Sequence, residues 1–237
     1  MGHYFINDPN LKSNKKIIKY TFLGKEVSFF TDNGIFSKDR VDFGTNVLLN
    51  SLEDLSRYKK VLDVGCGVGS ASILAAYGVD SVHVTAIDID EAATKLAAEN
   101  YQANGINAKV ICNDVSDFPL TGERFDAVIT NPPFFKPGTG RKSPLKSIAR
   151  HENVELSTWI SFCIKRLKPN GRFYIIHTSD RIQDILVALH AYHSYVGGIT
   201  IEPISFKQNA DPKRVIITAQ HSSKTPPIIN SQKIVGA

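Results

Sequence analysis

Cysteine is scarce in this 237-residue chain: Cys66, Cys112 and Cys163 are the only three. They lie far apart, form no C-x-x-C pair and are odd in number, which argues against a disulfide framework or a zinc site. Small buried thiols in a reducing compartment are expected instead. Long apolar runs are missing too. None reaches the ~18 residues of a membrane span, so no membrane partner is expected. The N-terminus lacks a charged segment followed by an apolar stretch and a cleavage site, and Ile6 stands where a myristoylation motif wants Ser or Thr. A cytoplasmic protein is therefore expected. Charge of one sign is only mildly in excess: 28 Lys+Arg against 23 Asp+Glu give a formal +5, compatible with a polyanionic partner without demanding one. What is present is ordinary globular material. Hydrophobic content of 42% and charged content of 22% allow a substantial core and argue against global disorder.

The length allows one large domain or one domain with a small appendage, and the second arrangement is expected. After a polar start over residues 7–16, Lys25-Glu26-Val27-Ser28-Phe29-Phe30 alternates like a strand. Thr31-Asp32-Asn33-Gly34 then signals a turn, and Ile35-Phe36-Ser37 reads as a second short strand. Residues 43–58 read as a helix with Val47, Leu48, Leu52 and Leu55 on one side. Residues 1–50 are thus expected to form a small N-terminal cap, 51–222 the main domain and 223–237 a tail. From Lys60 onward strand-like and helix-like segments alternate, the pattern of an α/β fold with a parallel sheet between helices. Strands are expected at 61–64, 82–87, 109–112, 127–130, 173–177, 199–201 and 214–219. Helices are expected at 70–77, 91–104, 157–167 and 182–195, the second ended by Gly105 and the third stopped by Pro169-Asn170-Gly171. The last two strands are expected to form an antiparallel edge, and the tail from Ser222 to be extended or frayed.

Ligands of open α/β sheets bind beyond the carboxyl ends of the strands, and the candidate residues fall there. Gly65, Gly67 and Gly69 follow the strand at 61–64 and permit close backbone approach. A dinucleotide fingerprint would need glycine at position 70, where the chain has Ser70. Asp88 closes the next strand, where an acid accepts both ribose hydroxyl protons, whereas Asp90 better fits a helix N-cap. Ile89 either covers one face of an adenine or joins the core. Asn113-Asp114 closes the third strand and either accepts from an adenine amino group or forms an Asx turn.

Asn131-Pro132-Pro133-Phe134, at the end of the apolar run 125–130, is the most informative stretch. An exocyclic amine conjugated to a ring or carbonyl is a poor nucleophile until its two hydrogens are fixed and its lone pair is freed. An Asn side-chain carbonyl and a proline backbone carbonyl each accept one N–H. The following aromatic ring stacks on the substrate plane, and the double proline stiffens the loop. The pattern points to methyl transfer onto a planar nitrogen. Lys136, Arg141, Lys142, Lys146 and Arg150 crowd the loop that follows, either to hold RNA phosphates beside a flipped base or as a solvated basic loop. Arg150-His151-Glu152 reads as an ordering ion pair at a helix start.

In order across residues 61–135, Gly-x-Gly-x-Gly, an acid closing the second strand, Asn-Asp closing the third and Asn-Pro-Pro-Phe closing the fourth resemble the class I S-adenosylmethionine-dependent methyltransferases that modify amino groups. The resemblance implies a Rossmann-like fold, with a mostly parallel seven-stranded sheet and an antiparallel edge strand, and S-adenosyl-L-methionine as cofactor. It places Asp63 and the glycine turn near the methionine part, Asp88 at the ribose and Asp114 at the adenine. Asn131 with Pro132 falls at the target nitrogen and Phe134 against the substrate base. No metal is expected. A nicotinamide-dependent oxidoreductase shares the nucleotide-binding strand order but has no use for Asn131-Pro132-Pro133-Phe134.

The flanks point in two directions. Residues 3–49, through Tyr4-Phe5, Phe30-Thr31-Asp32-Asn33-Gly34-Ile35-Phe36-Ser37 and Val41-Asp42-Phe43-Gly44-Thr45, are similar to the methyltransferase domain of small-subunit ribosomal RNA guanine-N2 methyltransferases. From Asn131 onward the chain instead resembles bacterial tRNA1(Val) adenine-37 N6-methyltransferases, through Asn131-Pro132-Pro133-Phe134-Phe135-Lys136-Pro137-Gly138-Thr139-Gly140, Ala149-Arg150-His151-Glu152 and Leu167-Lys168-Pro169-Asn170-Gly171-Arg172-Phe173. The second match touches the substrate side. The expected activity is therefore methylation of an exocyclic amine of an RNA base, adenine N6 in tRNA. Guanine N2 in small-subunit ribosomal RNA and protein glutamine N5 are the alternatives. RNA is the expected partner, tRNA ahead of rRNA.

Overall fold

Strands such as Val61-Leu62-Asp63-Val64 carry side chains that need cover on both faces, and that requirement sets the layering. A computed structural model of the chain describes residues 14–235 except 23, 34–40, 50, 53–56, 78, 80, 118–121 and 135–153. A hairpin of β1 (Lys16–Phe22) and β2 (Lys25–Thr31) leads into α1 (Phe43–Leu49). The chain then alternates through β3 (Lys60–Val64), α2 (Ser70–Ala76), β4 (His83–Asp88), α3 (Glu91–Ala103), β5 (Ala108–Cys112) and β6 (Phe125–Thr130). The second half runs α4 (Leu156–Lys165), β7 (Leu167–Thr178), a 3-10 turn, α5 (Ile182–His190), β8 (Val196–Ser205) and β9 (Arg214–His221). Two short strands, β10 (Ile228–Ile229) and β11 (Lys233–Ile234), close the tail.

The main sheet is nine-stranded, in the order β10-β8-β9-β7-β6-β3-β4-β5 with β11 also on β8. The run from β5 to β7 is parallel, and β9 is antiparallel to both of its neighbours. This is the mostly parallel α/β sheet expected, with two corrections: the short strands β10 and β11 bring the seven expected strands to nine, and the antiparallel strand β9 is internal rather than at the edge. The α5 crossover returns β8 parallel to β7 but one strand further out, and the short connection from β8 folds β9 back into the slot between them. The tail does not fray. Asn230 N donates to Ile201 O at 2.9 Å and Val235 N to Ser205 O at 2.9 Å, registering β10 and β11 on the free edge of β8.

One face of the sheet, through Val61, Val84, Ala86, Ala127, Ile129, Tyr174 and Ile176, packs on α1, α2, α3 and the hairpin. The other, through Leu62, Val64, Val128, Phe173, Ile175 and Ile217, packs on α4 and α5. The hairpin belongs to the first layer: Val27 and Phe29 are each 1% exposed. Its docking is polar as well as apolar. The buried Asn100 side chain of α3 donates to Phe30 O at 3.0 Å and to Val68 O at 2.9 Å, and accepts from Phe30 N at 2.6 Å. Asn104 Nδ2 adds a bond to Ser28 O at 2.9 Å.

Several elements differ from the sequence reading. β1 was not expected, although Ile18, Tyr20 and Phe22 alternate with polar neighbours opposite β2. The helix expected over 43–58 stops at Leu49, where Ser51 N and Leu52 N bond three residues back, to Leu48 O and Leu49 O, and tighten the last turn. Pro169-Asn170-Gly171 does not end an element but loops out within β7, pairing shifting from Phe125↔Leu167 to Ala127↔Arg172. The strand expected at 35–37 lies outside the described residues. Among the described residues no helix is long and apolar enough to cross a membrane.

Candidate active site

Register decides which side chains meet. Val64 pairs with Ile87 and with Thr130, and Asp88 pairs with Cys112. Gly65, Asp88, Asn113 and Asn131 therefore leave the sheet along one edge. The strand order reverses between β3 and β6, the crevice where open α/β sheets bind ligands, and the glycine turn and Asn131 flank it.

The turn is built by φ and by crowding. Gly65, Gly67 and Gly69 have φ of 73°, 53° and 83°, a region that costs any residue with a Cβ. A Cβ on Gly69 would also lie 3.0 Å from the Tyr101 ring, and one on Gly65 3.0 Å from the ring of Trp159. Trp159, on α4, donates its Nε1–H to Thr130 Oγ1 at 3.0 Å, and Thr130 Oγ1 in turn donates to Val64 O at 2.7 Å. The indole thus ties the ends of β3 and β6 together.

Asp88 accepts from Gly67 N at 2.8 Å and from Asp90 N at 3.0 Å, one bond on each carboxylate oxygen. It is half-buried, and burial pushes its carboxyl above the ordinary value while those backbone N–H groups hold it down. Asp90 is the N-cap of α3, accepting from Ala92 N and Ala93 N at 2.8 and 3.2 Å. Ile89 beside it is half-buried. Asp114 closes an Asx-type turn, one oxygen accepting from Ser116 N and Ser116 Oγ at 2.8 Å each, while Asn113 Oδ1 accepts from Asp114 N at 2.8 Å. Asp63 lies deeper, 2% exposed, and accepts from Ser72 Oγ at 2.5 Å; Ser72 Oγ is also 2.6 Å from the Tyr101 hydroxyl. Burial pushes its carboxyl up to about 6 against its hydrogen bonds from Ser72. Of the thiols, Cys66 and Cys163 are buried as expected, but Cys112 is exposed, as the last residue of β5, the strand at the end of the sheet.

Asn131 is held by its amide nitrogen. Nδ2 donates to Asp42 Oδ2 and to Thr45 Oγ1, both at 3.2 Å. Its Oδ1 is buried and has no hydrogen-bond partner among the described residues. Pro132 is buried, and Pro133 and Phe134 are half-buried. The Phe134 ring meets His177 edge-on, with centroids 5.4 Å apart, and the Arg214 guanidinium lies 4.6 Å over its centroid. Burial pushes that guanidinium below its ordinary value, with Asp42 and Asp180 countering it. Lys136, Arg141, Lys142, Lys146 and Arg150 lie outside the described residues. The sequence reading passed over Trp159, Arg214, Ser72 and Tyr101. The only signal for Trp159 was its being the single tryptophan in the chain.

A glycine turn that admits backbone approach, a fixed acid one strand over and, across the crevice, a buried acceptor without a partner among the described residues fit S-adenosylmethionine and an amine acceptor. Comparison with known proteins agrees. The family model for the methyltransferase small domain matches residues 26–189. The chain is 32% identical over 173 residues to the uncharacterized protein YbxB of Bacillus subtilis, covering 71% of this chain and 85% of that one. It is 30% identical over 174 residues to a tRNA1(Val) (adenine(37)-N6)-methyltransferase of Glaesserella parasuis, covering 73% of each. It is 34% identical over 157 residues to a ribosomal RNA small subunit methyltransferase C of Hahella chejuensis, covering 63% of this chain but 40% of that one. The structure of the T. thermophilus 16S rRNA N2 G1207 methyltransferase RsmC, in complex with AdoMet and guanosine, shares the fold with a TM-score of 0.63 at 22% identity, covering 90% of this chain and 51% of that one. The fold and the family model define an S-adenosylmethionine-dependent class I methyltransferase. The chain belongs to the methyltransferase small domain family.

Proposed function

We propose that the protein methylates an exocyclic amine of an RNA base, adenine N6 in tRNA ahead of guanine N2 in ribosomal RNA. The observation that carries this reading is Asn131 Oδ1, a buried acceptor without a partner among the described residues, on the residue that leaves β6 beside the crevice. S-adenosylmethionine, when bound, supplies a methyl group as an electrophilic carbon on a sulfonium. Gly65, Gly67 and Gly69 let the backbone approach its methionine end, near Asp63. Asp88 uses its remaining lone pairs for the ribose hydroxyls, and Ile89, Asn113 and Asp114 border the adenine. Asn131 Oδ1 and the Pro132 carbonyl each accept one N–H of the substrate amine, which frees its lone pair and aims it; alignment is the protein's main contribution. The amine proton then passes through Asn131 or to water. The base stacks on the face of Phe134 opposite Arg214. Residues 1–50 act as a cap beside this site, and Lys136, Arg141, Lys142, Lys146 and Arg150 bind RNA phosphates.

The extent of similarity favours tRNA, since the match to the tRNA enzyme spans most of both chains whereas the ribosomal RNA enzyme is matched over 40% of its length. The second reading has one specific support: Asp42 and Thr45, which contact Asn131, belong to the stretch that resembles the ribosomal RNA enzymes. Incubation with labelled methyl donor and unmodified total tRNA or small-subunit ribosomal RNA, followed by nucleoside analysis, separates them. N6-methyladenosine from tRNA is expected. N2-methylguanosine from ribosomal RNA would shift the assignment to the second reading, and label confined to protein, or absent while the cofactor binds, would overturn both.

A further inference from the structure

An amide side chain presents either its oxygen or its NH2 to a ligand, and the two orientations have nearly the same shape. A site that needs an acceptor must therefore specify which end faces in. Asp42 Oδ2 already accepts from Gly44 N at 2.8 Å and Thr45 N at 3.3 Å, as the cap of α1. Being an acceptor, that oxygen tolerates only the NH2 of Asn131 against it, and the two meet at 3.2 Å across 89 residues of sequence. Thr45 Oγ1 takes a second bond from the same nitrogen at 3.2 Å. Turned over, the amide would set oxygen against oxygen at Asp42 and lose that bond, whereas the Thr45 hydroxyl, able to donate or accept, holds the side chain without choosing its end. The fit is close: a Cβ on Gly44 would lie 2.8 Å from Asp42 Oδ2 and 3.3 Å from Asn131 Nδ2.

We propose that Asp42 and Thr45 are positioning residues that lock the Asn131 amide with its oxygen toward the substrate amine, Gly44 leaving the room they need. The inference rests on reading Asn131 as the acceptor for that amine, but the lock itself is measurable without a substrate. The side-chain NH2 resonances of Asn131, assigned by their loss in Asn131→Ala, report both bonds. Asp42→Ser keeps a helix-capping hydroxyl but not the reach to Asn131, whereas Asp42→Asn keeps an oxygen for all three donors. We expect slowly exchanging Asn131 NH2 protons in the parent and in Asp42→Asn, and rapid exchange in Asp42→Ser with the fold intact.

With labelled donor and unmodified tRNA, Asp42→Ser then lowers kcat by about 10-fold or more, since misalignment near the reacting atoms is costly. The affinity for S-adenosylhomocysteine stays within about 3-fold of the parent, under half of the ~1.4 kcal/mol that a tenfold change represents, and Asp42→Asn restores most of the rate. Unchanged Asn131 exchange in Asp42→Ser overturns the lock whatever the activity does, and an unchanged kcat overturns its positioning role. If Asn131→Ala itself still transfers methyl groups, the acceptor reading fails instead, while the exchange data continue to report the lock.

Discussion

Asp63 is a carboxyl buried beside Ser72 and Tyr101, and its titration is a handle on the site. Burial raises it from 3.8 to about 6, so the folded protein holds this proton more tightly than the unfolded chain does. Its contribution is therefore most favourable below about pH 4 and is lost as pH rises through about 6, by about 3 kcal/mol in total. Relative to the parent, Asp63→Asn should gain stability across that window and run parallel outside it, as read from urea denaturation at several pH values. A difference that stays flat from pH 4 to 7 would show that Asp63 is not raised. Trp159 gives a second handle, because its ring lies where a side chain on Gly65 would be. Titration with S-adenosylhomocysteine should change the single-tryptophan emission saturably, with the Kd found by calorimetry, and an unresponsive emission would place the cofactor away from this turn. Residues at strand ends were legible in sequence because the α/β pattern fixes where strands end. The pairing of Asp42 with Asn131 was not, since only the assembled sheet brings those segments together.

The elements most readable from sequence were the largely apolar strands β3, β4 and β6 and the helix α3, capped by Asp90 and ended before Gly105; all lie close to their expected places. The position of β9 and the anchoring of the tail were not readable, because both depend on which strand edge remains open after α5 crosses. β1 escaped because one face of it is solvent-exposed and its partner pairs only locally. What fixes that hairpin is Asn100, 0% exposed and bonded to both backbone groups of Phe30 and to Val68 of the glycine turn. Asn100→Ala leaves three backbone groups in the interior without their partner, a loss of about 2–4 kcal/mol. Urea denaturation should show it, with faster amide exchange in β2 and at Val68 and weaker cofactor binding. Full stability in this variant would mean that apolar packing alone docks the hairpin.

For the molecule as a whole, the basic excess is modest, so the proposed RNA binding would have to draw on local concentration of charge. If Lys136, Arg141, Lys142, Lys146 and Arg150 contact phosphates, replacing any one with alanine should weaken RNA binding and reduce the slope of log K against log salt by up to about 1. A slope unchanged in all five variants would leave the loop a solvated surface. The central claim is that Asn131 offers its oxygen to the amine of an RNA base. Its most direct test is single-turnover transfer from labelled S-adenosylmethionine to unmodified tRNA by the parent and by Asn131→Ala, with cofactor affinity measured alongside. The expected result is N6-methyladenosine from the parent and a rate at least about 100-fold lower from the variant, with cofactor affinity nearly unchanged. Comparable transfer by both proteins would contradict the account.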